Sequence, residues 1–97
     1  MTKAYWVSVY RTIADPEKLA AYDNLAAPAV RAGGGRLLSR GLRNATYDAG
    51  IAERIVLIEF ENFEQAVATR ESEAYQEALT VLADAVERDF HIIEGID

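Results

Sequence analysis

The sequence contains no cysteine, which excludes disulfides, thiolate-bound metals and cysteine nucleophiles outright. Histidine occurs once, at His91, so a zinc site built on several histidines is ruled out. His91 is also the one side chain whose ordinary pKa lies near neutrality. Basic residues are outnumbered, ten against sixteen acids, and the net charge of −6 opposes the counterion release on which nucleic-acid binding depends. Nucleic acid and anionic membrane surfaces are therefore not expected partners. No apolar run approaches the roughly 20 residues that cross a bilayer. The N-terminal MTKAYWVSVYR reaches Arg11 without a small-residue cleavage site, so a cytoplasmic protein is expected. Glycine occurs six times, with one run, GGGR at 33–36. That run lacks the setting of a phosphate loop and fails the dinucleotide fingerprint, and it reads as a helix stop. No cofactor and no metal are expected.

What is present fits one ordinary folded domain spanning 1–97: apolar residues make up 51% and charged residues 27%, far from the balance of a disordered chain. AYWVSVYR at 4–11 alternates Tyr5, Val7 and Val9 against Trp6, Ser8 and Tyr10 and predicts a strand. ADPEKL then supplies a helix start, with Asp15 as N-cap, Pro16 at the first helical position and Glu17 in the first turn. The helix is expected to reach Ala32, with a kink or break at 24–27 because Pro28 removes a hydrogen bond to Asn24. RLLSRGL at 36–42 and 53–60 read as two further strands, 61–70 as a short helix and 72–88 as a second one capped by Ser72. Residues 89–96 close the chain as a fourth strand. The order β, α, β, β, α, β predicts an α+β, ferredoxin-like protomer with helices on one face of a four-stranded antiparallel sheet.

ERIVLIEF at 53–60 carries Ile55 to Ile58 as an unbroken apolar run, where a sheet with one wet face would alternate. Helices can cover one face only, yet Trp6 and Tyr10, both sides of this run, and Ile92 with Ile93 all ask for burial. Leaving four to six such side chains bare would forfeit on the order of 10 kcal/mol, comparable to the whole stability of a small domain. A second copy on the sheet face is the simplest cover, since one self-complementary patch then serves both chains. The rival reading is a central strand partly covered by its own loops.

AYW near the start, DPEKLAAY at 15–22, APAVRAGGGRLLSRG at 27–41, RIVLIEF at 54–60, SEAYQEA at 72–78 and IIEGID at 92–97 together resemble the domain of unknown function 1330 family of the dimeric α/β-barrel superfamily. The resemblance runs in order over nearly the whole chain. It implies a ferredoxin-like protomer whose sheets pair face to face in a homodimer, forming a dimeric α/β barrel. It implies no particular reaction, because the wider superfamily includes cofactor-independent monooxygenases, small isomerases and haem-binding enzymes. Glu73 departs from the family pattern, in which a proline often follows the position of Ser72.

Candidate ligand-binding residues are Arg40, Glu59, Tyr22, Tyr75, Trp6 and His91, with Tyr10 beside them. Arg40 and Glu59 fall on strands expected to be neighbours and each interrupts an apolar stretch. They read either as a plain ion pair or as an anion-gripping guanidinium oriented by a carboxylate. The aromatic residues suit the wall of a small-molecule pocket between sheet and helices, or simply the core. His91 reads as a general base or as a structural histidine. Two functions stay open: a homodimer with a small-molecule pocket, possessing cofactor-independent activity or binding alone, and a non-catalytic dimerisation or regulatory module with no pocket.

Overall fold

Alternation in the first strand gives the sheet its two faces. In the computed structural model, which describes residues 2–96, β1 (Ala4–Ile13) buries Ala4, Trp6, Ser8 and Tyr10 on one side and half-buries Tyr5, Val7 and Val9 on the other. α1 (Pro16–Ala32) starts where expected: an Asp15 side-chain oxygen accepts from the amides of Glu17 and Lys18, both at 3.1 Å. Helix α1 runs through Pro28 without the expected break. Pro28 and Asn24 are both on its exposed side, so water can satisfy the Asn24 carbonyl that proline leaves unbonded. The helix ends at the glycine run, where Gly34 takes a φ of +87° that a side chain would resist.

β2 (Arg36–Ser39) is shorter than the sequence suggests, and its register shifts between Leu37 and Ser39. Gly41 then adopts φ +48°, and an exposed connection leads to β3 (Arg54–Phe60). α2 (Phe63–Arg70) is capped by Asn62 and α3 (Glu73–Leu82) by Ser72, whose hydroxyl accepts from the Tyr75 amide at 3.3 Å. The helix expected to continue to Arg88 stops at Leu82, because Ala83 turns to φ +47° and the Ala85 carbonyl accepts the Ala14 and Asp15 amides. β4 (Val86–Glu94) therefore begins three residues earlier than expected and pairs along β1 from Ile13 opposite Val86 to Ala4 opposite Glu94. Two short helices thus fill the second helical position of the βαββαβ order.

The strands form one antiparallel sheet in the order β2-β3-β1-β4, a ferredoxin-like arrangement. The helices pack on the face of Trp6, Val56, Ile58 and Phe60. Trp6 centres this core: its indole N–H donates to the Ala66 carbonyl at 2.9 Å, and the rings of Phe60, Tyr75 and Phe90 lie 5.0–5.2 Å from its own. The opposite face carries Tyr5, Val7, Val9, Ile55 and Leu57, all half-buried, with Ile93 50% exposed. Apolar residues therefore occupy both faces of the sheet, and helices cover one.

Candidate functional site

At the centre of β1 the small Ser8 sits between Val56 of β3 and Phe90 of β4, and α1 presents the small Ala26 and Ala27 toward it. Side chains of this size do not fill the space between helix and sheet. A cavity of about 130 Å³ results. Its inner wall is apolar and aromatic, including Trp6, Tyr10, Tyr22, Val56 and Phe90, while Arg31, Leu37 and Arg40 form an exposed rim.

The polar groups on this wall are predominantly cationic. Arg31, Arg40, Arg54 and Arg88 face a single acid, Asp23, in a chain whose net charge is −6. Arg54 and Asp23 form a two-pronged pair at 3.2 and 3.3 Å, with side chains 12% and 27% exposed. Among the described residues the buried Arg54 Nε has no hydrogen-bond partner.

Arg88 is held differently. Its Nη1 donates to the phenol oxygens of Tyr10 at 3.0 Å and Tyr22 at 3.3 Å, and its Nη2 donates to Tyr75 at 3.3 Å. The guanidinium carbon also lies 4.9 Å from the Phe90 ring centroid. Tyr22 and Tyr75 hydrogen-bond to each other through their hydroxyls. Among the described residues no carboxylate pairs with Arg88. Burial pushes the Tyr10 and Tyr22 phenols up, by more than the neighbouring arginine pulls them down, so both keep their protons at neutral pH. Burial works against the Arg88 charge, but the surrounding phenol oxygens more than offset it, and its pKa is raised.

Of the candidates read from sequence, Trp6, Tyr22 and Arg40 lie on the cavity wall, as does Tyr10. Tyr75 sits directly behind, fully buried, holding Tyr22 and Arg88. Glu59 and His91 do not join them. Glu59 stands opposite Tyr5 and His91 opposite Val7, so strand alternation sends both to the other face of the sheet. The expected partnership of Arg40 with Glu59 is likewise corrected. Arg40 lies past the end of β2, and the arginine nearest Glu59 is Arg36 at 3.9 Å.

Arg88, Arg54, Arg31, Asp23 and Ser8 are polar wall residues absent from the candidates read from sequence, Arg31 lying at the exposed rim. The signal for the two strand arginines is their parity: Arg88 shares a face with Phe90 and Ile92, and Arg54 with Val56, Ile58 and Phe60. Charges at these positions are turned to the core side of the sheet. Among the described residues no group of three or more His, Asp or Glu is placed to hold a metal ion, and no helix is long and apolar enough to cross a membrane.

Solved structures share this fold at low sequence identity. A protein of unknown function from Rhodopseudomonas palustris superposes with a TM-score of 0.75 at 16% identity, covering 99% of this chain and 84% of that one. A dimeric ferredoxin-like protein of unknown function from Thermobifida fusca gives 0.64 at 14% identity, covering 95% and 90%. SnoaB, a cofactor-independent oxygenase from Streptomyces nogalater, gives 0.67 at 8% identity, covering 100% and 96%. No curated protein matches the sequence. The model of the domain of unknown function DUF1330 matches residues 3–96, and the chain belongs to that family.

Proposed function

We propose that the protein is a cytoplasmic homodimer that binds a small organic molecule in the cavity between α1 and the sheet of each protomer. The observation that carries this reading is the wall itself: Arg54, Arg88 and Asp23 set into an aromatic lining with Arg31 and Arg40 at its rim, within an otherwise acidic protein. Among the described residues Arg88 is held by phenol oxygens and by no carboxylate, so its charge is left without an anion and open to one supplied by a ligand. This favours a pocket over the alternative of a dimerisation or regulatory module that merely fills its core.

Pairing through the open face is supported by its composition. Fully burying an apolar side chain is worth about 1.5–3 kcal/mol. Tyr5, Val7, Val9, Ile55 and Leu57 are already more than half covered, so sheltering the remainder would yield on the order of 2–3 kcal/mol per protomer. The Thermobifida fusca neighbour, of the same fold, is a dimer. The cytoplasmic placement rests on the sequence alone. Whether a reaction follows binding turns on a base: Asp23 is the one carboxylate on the wall, and Arg54 holds both its oxygens. Binding is therefore the reading we adopt.

Trp6 is the sole tryptophan and lies on the cavity wall, which makes its fluorescence a direct reporter. A diverse fragment panel should contain compounds that both change Trp6 emission and raise the melting temperature, since a ligand of the folded state stabilises it by mass action. A panel in which no compound does either would defeat the pocket.

A further inference from the structure

The reading of the cavity as a ligand pocket can be carried to the chemistry of its occupant, by counting protons. Arg88 gives N–H groups to the oxygens of Tyr10, Tyr22 and Tyr75, so each of these oxygens already accepts a hydrogen bond. Each phenol still has its own proton to place. One is used between Tyr22 and Tyr75. Tyr75 is 0% exposed and does not reach the cavity, and a buried donor without an acceptor is costly, so Tyr75 is the donor in that bond and Tyr22 the acceptor. The protons of Tyr10 and Tyr22 then remain, and neither finds an acceptor among the described residues. Both residues line the cavity, and both oxygens lie within 3.3 Å of the same Arg88 nitrogen. Two O–H donors thus converge beside a cation with no carboxylate partner among the described residues, and the nearby Arg54 Nε is likewise buried without a hydrogen-bond partner among them. The one carboxylate on the wall, Asp23, is held by Arg54, so the site has donors in excess of free acceptors.

From this we infer that the cavity takes a compact organic monocarboxylate, whose ionised oxygen accepts from the Tyr10 and Tyr22 hydroxyls against the charge of Arg88. Charge-assisted hydrogen bonds of this kind are about twice as strong as neutral ones. The body of the acid lies against Trp6, Val56 and Phe90. Its size is limited: a cavity of about 130 Å³ is close to the roughly 150 Å³ that accommodates one benzene ring. One ring or a short chain fits, and a fused polycycle does not. Arg31 and Arg40 at the exposed rim draw an anion toward the opening.

The test compares benzoate with benzamide, equal in shape and different in charge, by Trp6 fluorescence and calorimetry at constant ionic strength. Benzoate should bind at least about tenfold more tightly than benzamide. Arg88→Met should abolish that preference, and Tyr10→Phe, which keeps the ring and the packing, should weaken benzoate by about three- to tenfold while changing benzamide less than about twofold. Far-UV circular dichroism establishes that each variant is folded, and Tyr10→Phe serves if Arg88→Met is not. Equal affinity for the two probes would overturn the carboxylate assignment and leave the pocket standing. A failure of both probes and of the fragment panel would remove the pocket and the assignment together.

Discussion

Removing the Tyr22 hydroxyl should destabilise the protein more than removing that of Tyr75, although the two oxygens are bonded to each other. In Tyr22→Phe, Arg88 loses an acceptor at 3.3 Å and the Tyr75 proton loses its only acceptor. Tyr75 is 0% exposed, so no water can replace that partner. An orphaned buried hydroxyl costs about 1–3 kcal/mol and a lost hydrogen bond to a charged group about 1.5–3 kcal/mol, and the low end of each, suited to a 3.3 Å contact, gives about 3 kcal/mol in total. Tyr75→Phe also removes one acceptor from Arg88. It leaves no orphaned acceptor, because the Tyr22 oxygen still accepts from Arg88, and about 1.5 kcal/mol is expected. The double variant should then be no less stable than Tyr22→Phe alone, since the second change deletes the group that the first had orphaned. The coupling would be about 1–2 kcal/mol. Urea unfolding at one fixed protein concentration measures all three variants, the concentration being fixed because association shifts apparent stability. For a domain of this size about 3 kcal/mol corresponds to roughly 12–24 °C in Tm. Additive effects, or a Tyr75→Phe loss equal to that of Tyr22→Phe, would refute the assignment of Tyr75 as donor.

Two other perturbations follow from the same wall. Asp23→Ala strips Arg54, whose side chain is 12% exposed, of both carboxylate oxygens. The loss should be about 2–3 kcal/mol in urea unfolding, below the 3–5 kcal/mol of a fully sealed pair because Asp23 is 27% exposed. Alkaline pH is the second. Burial raises the Tyr10 and Tyr22 phenols above their ordinary 10.0, so above that pH the unfolded chain has released protons that the folded chain still holds. Stability should be intact below pH 10.0 and should fall as pH rises beyond it; a pH titration of the urea midpoint that stays flat or climbs there would contradict the burial of these phenols.

The fold was legible where local chemistry and tertiary packing agree. Asp15 with Pro16, the glycine run and Ser72 each act through their own backbone neighbours, and each does so in the structure. The end of α3 was not legible, because SEAYQEALTVLADAVER keeps a helical period past Leu82. What stops it is the sheet: β1 extends to Ile13 and recruits Val86 to Arg88 as its partners. That override also hid the site, since Arg88 on a helix would be a solvent charge and on β4 it faces the core. Glu59 and His91 were drawn into the candidate site by residue type, while strand parity places them on the other face. Pro28 shows the converse: the local rule of a broken helix yields where the freed carbonyl is on the exposed side.

The most direct measurement of the account is sedimentation of the untagged protein at micromolar concentration, alone and as Leu57→Lys. Leu57 lies opposite Val7 on the uncovered face, remote from the cavity side of the sheet. A species of about twice 10.7 kDa is predicted for the wild type, and a folded one near 10.7 kDa for Leu57→Lys, whose ammonium would be desolvated by a second sheet. A well-folded wild-type protein of 10.7 kDa with no tendency to associate would contradict the claim that a second copy covers the apolar face.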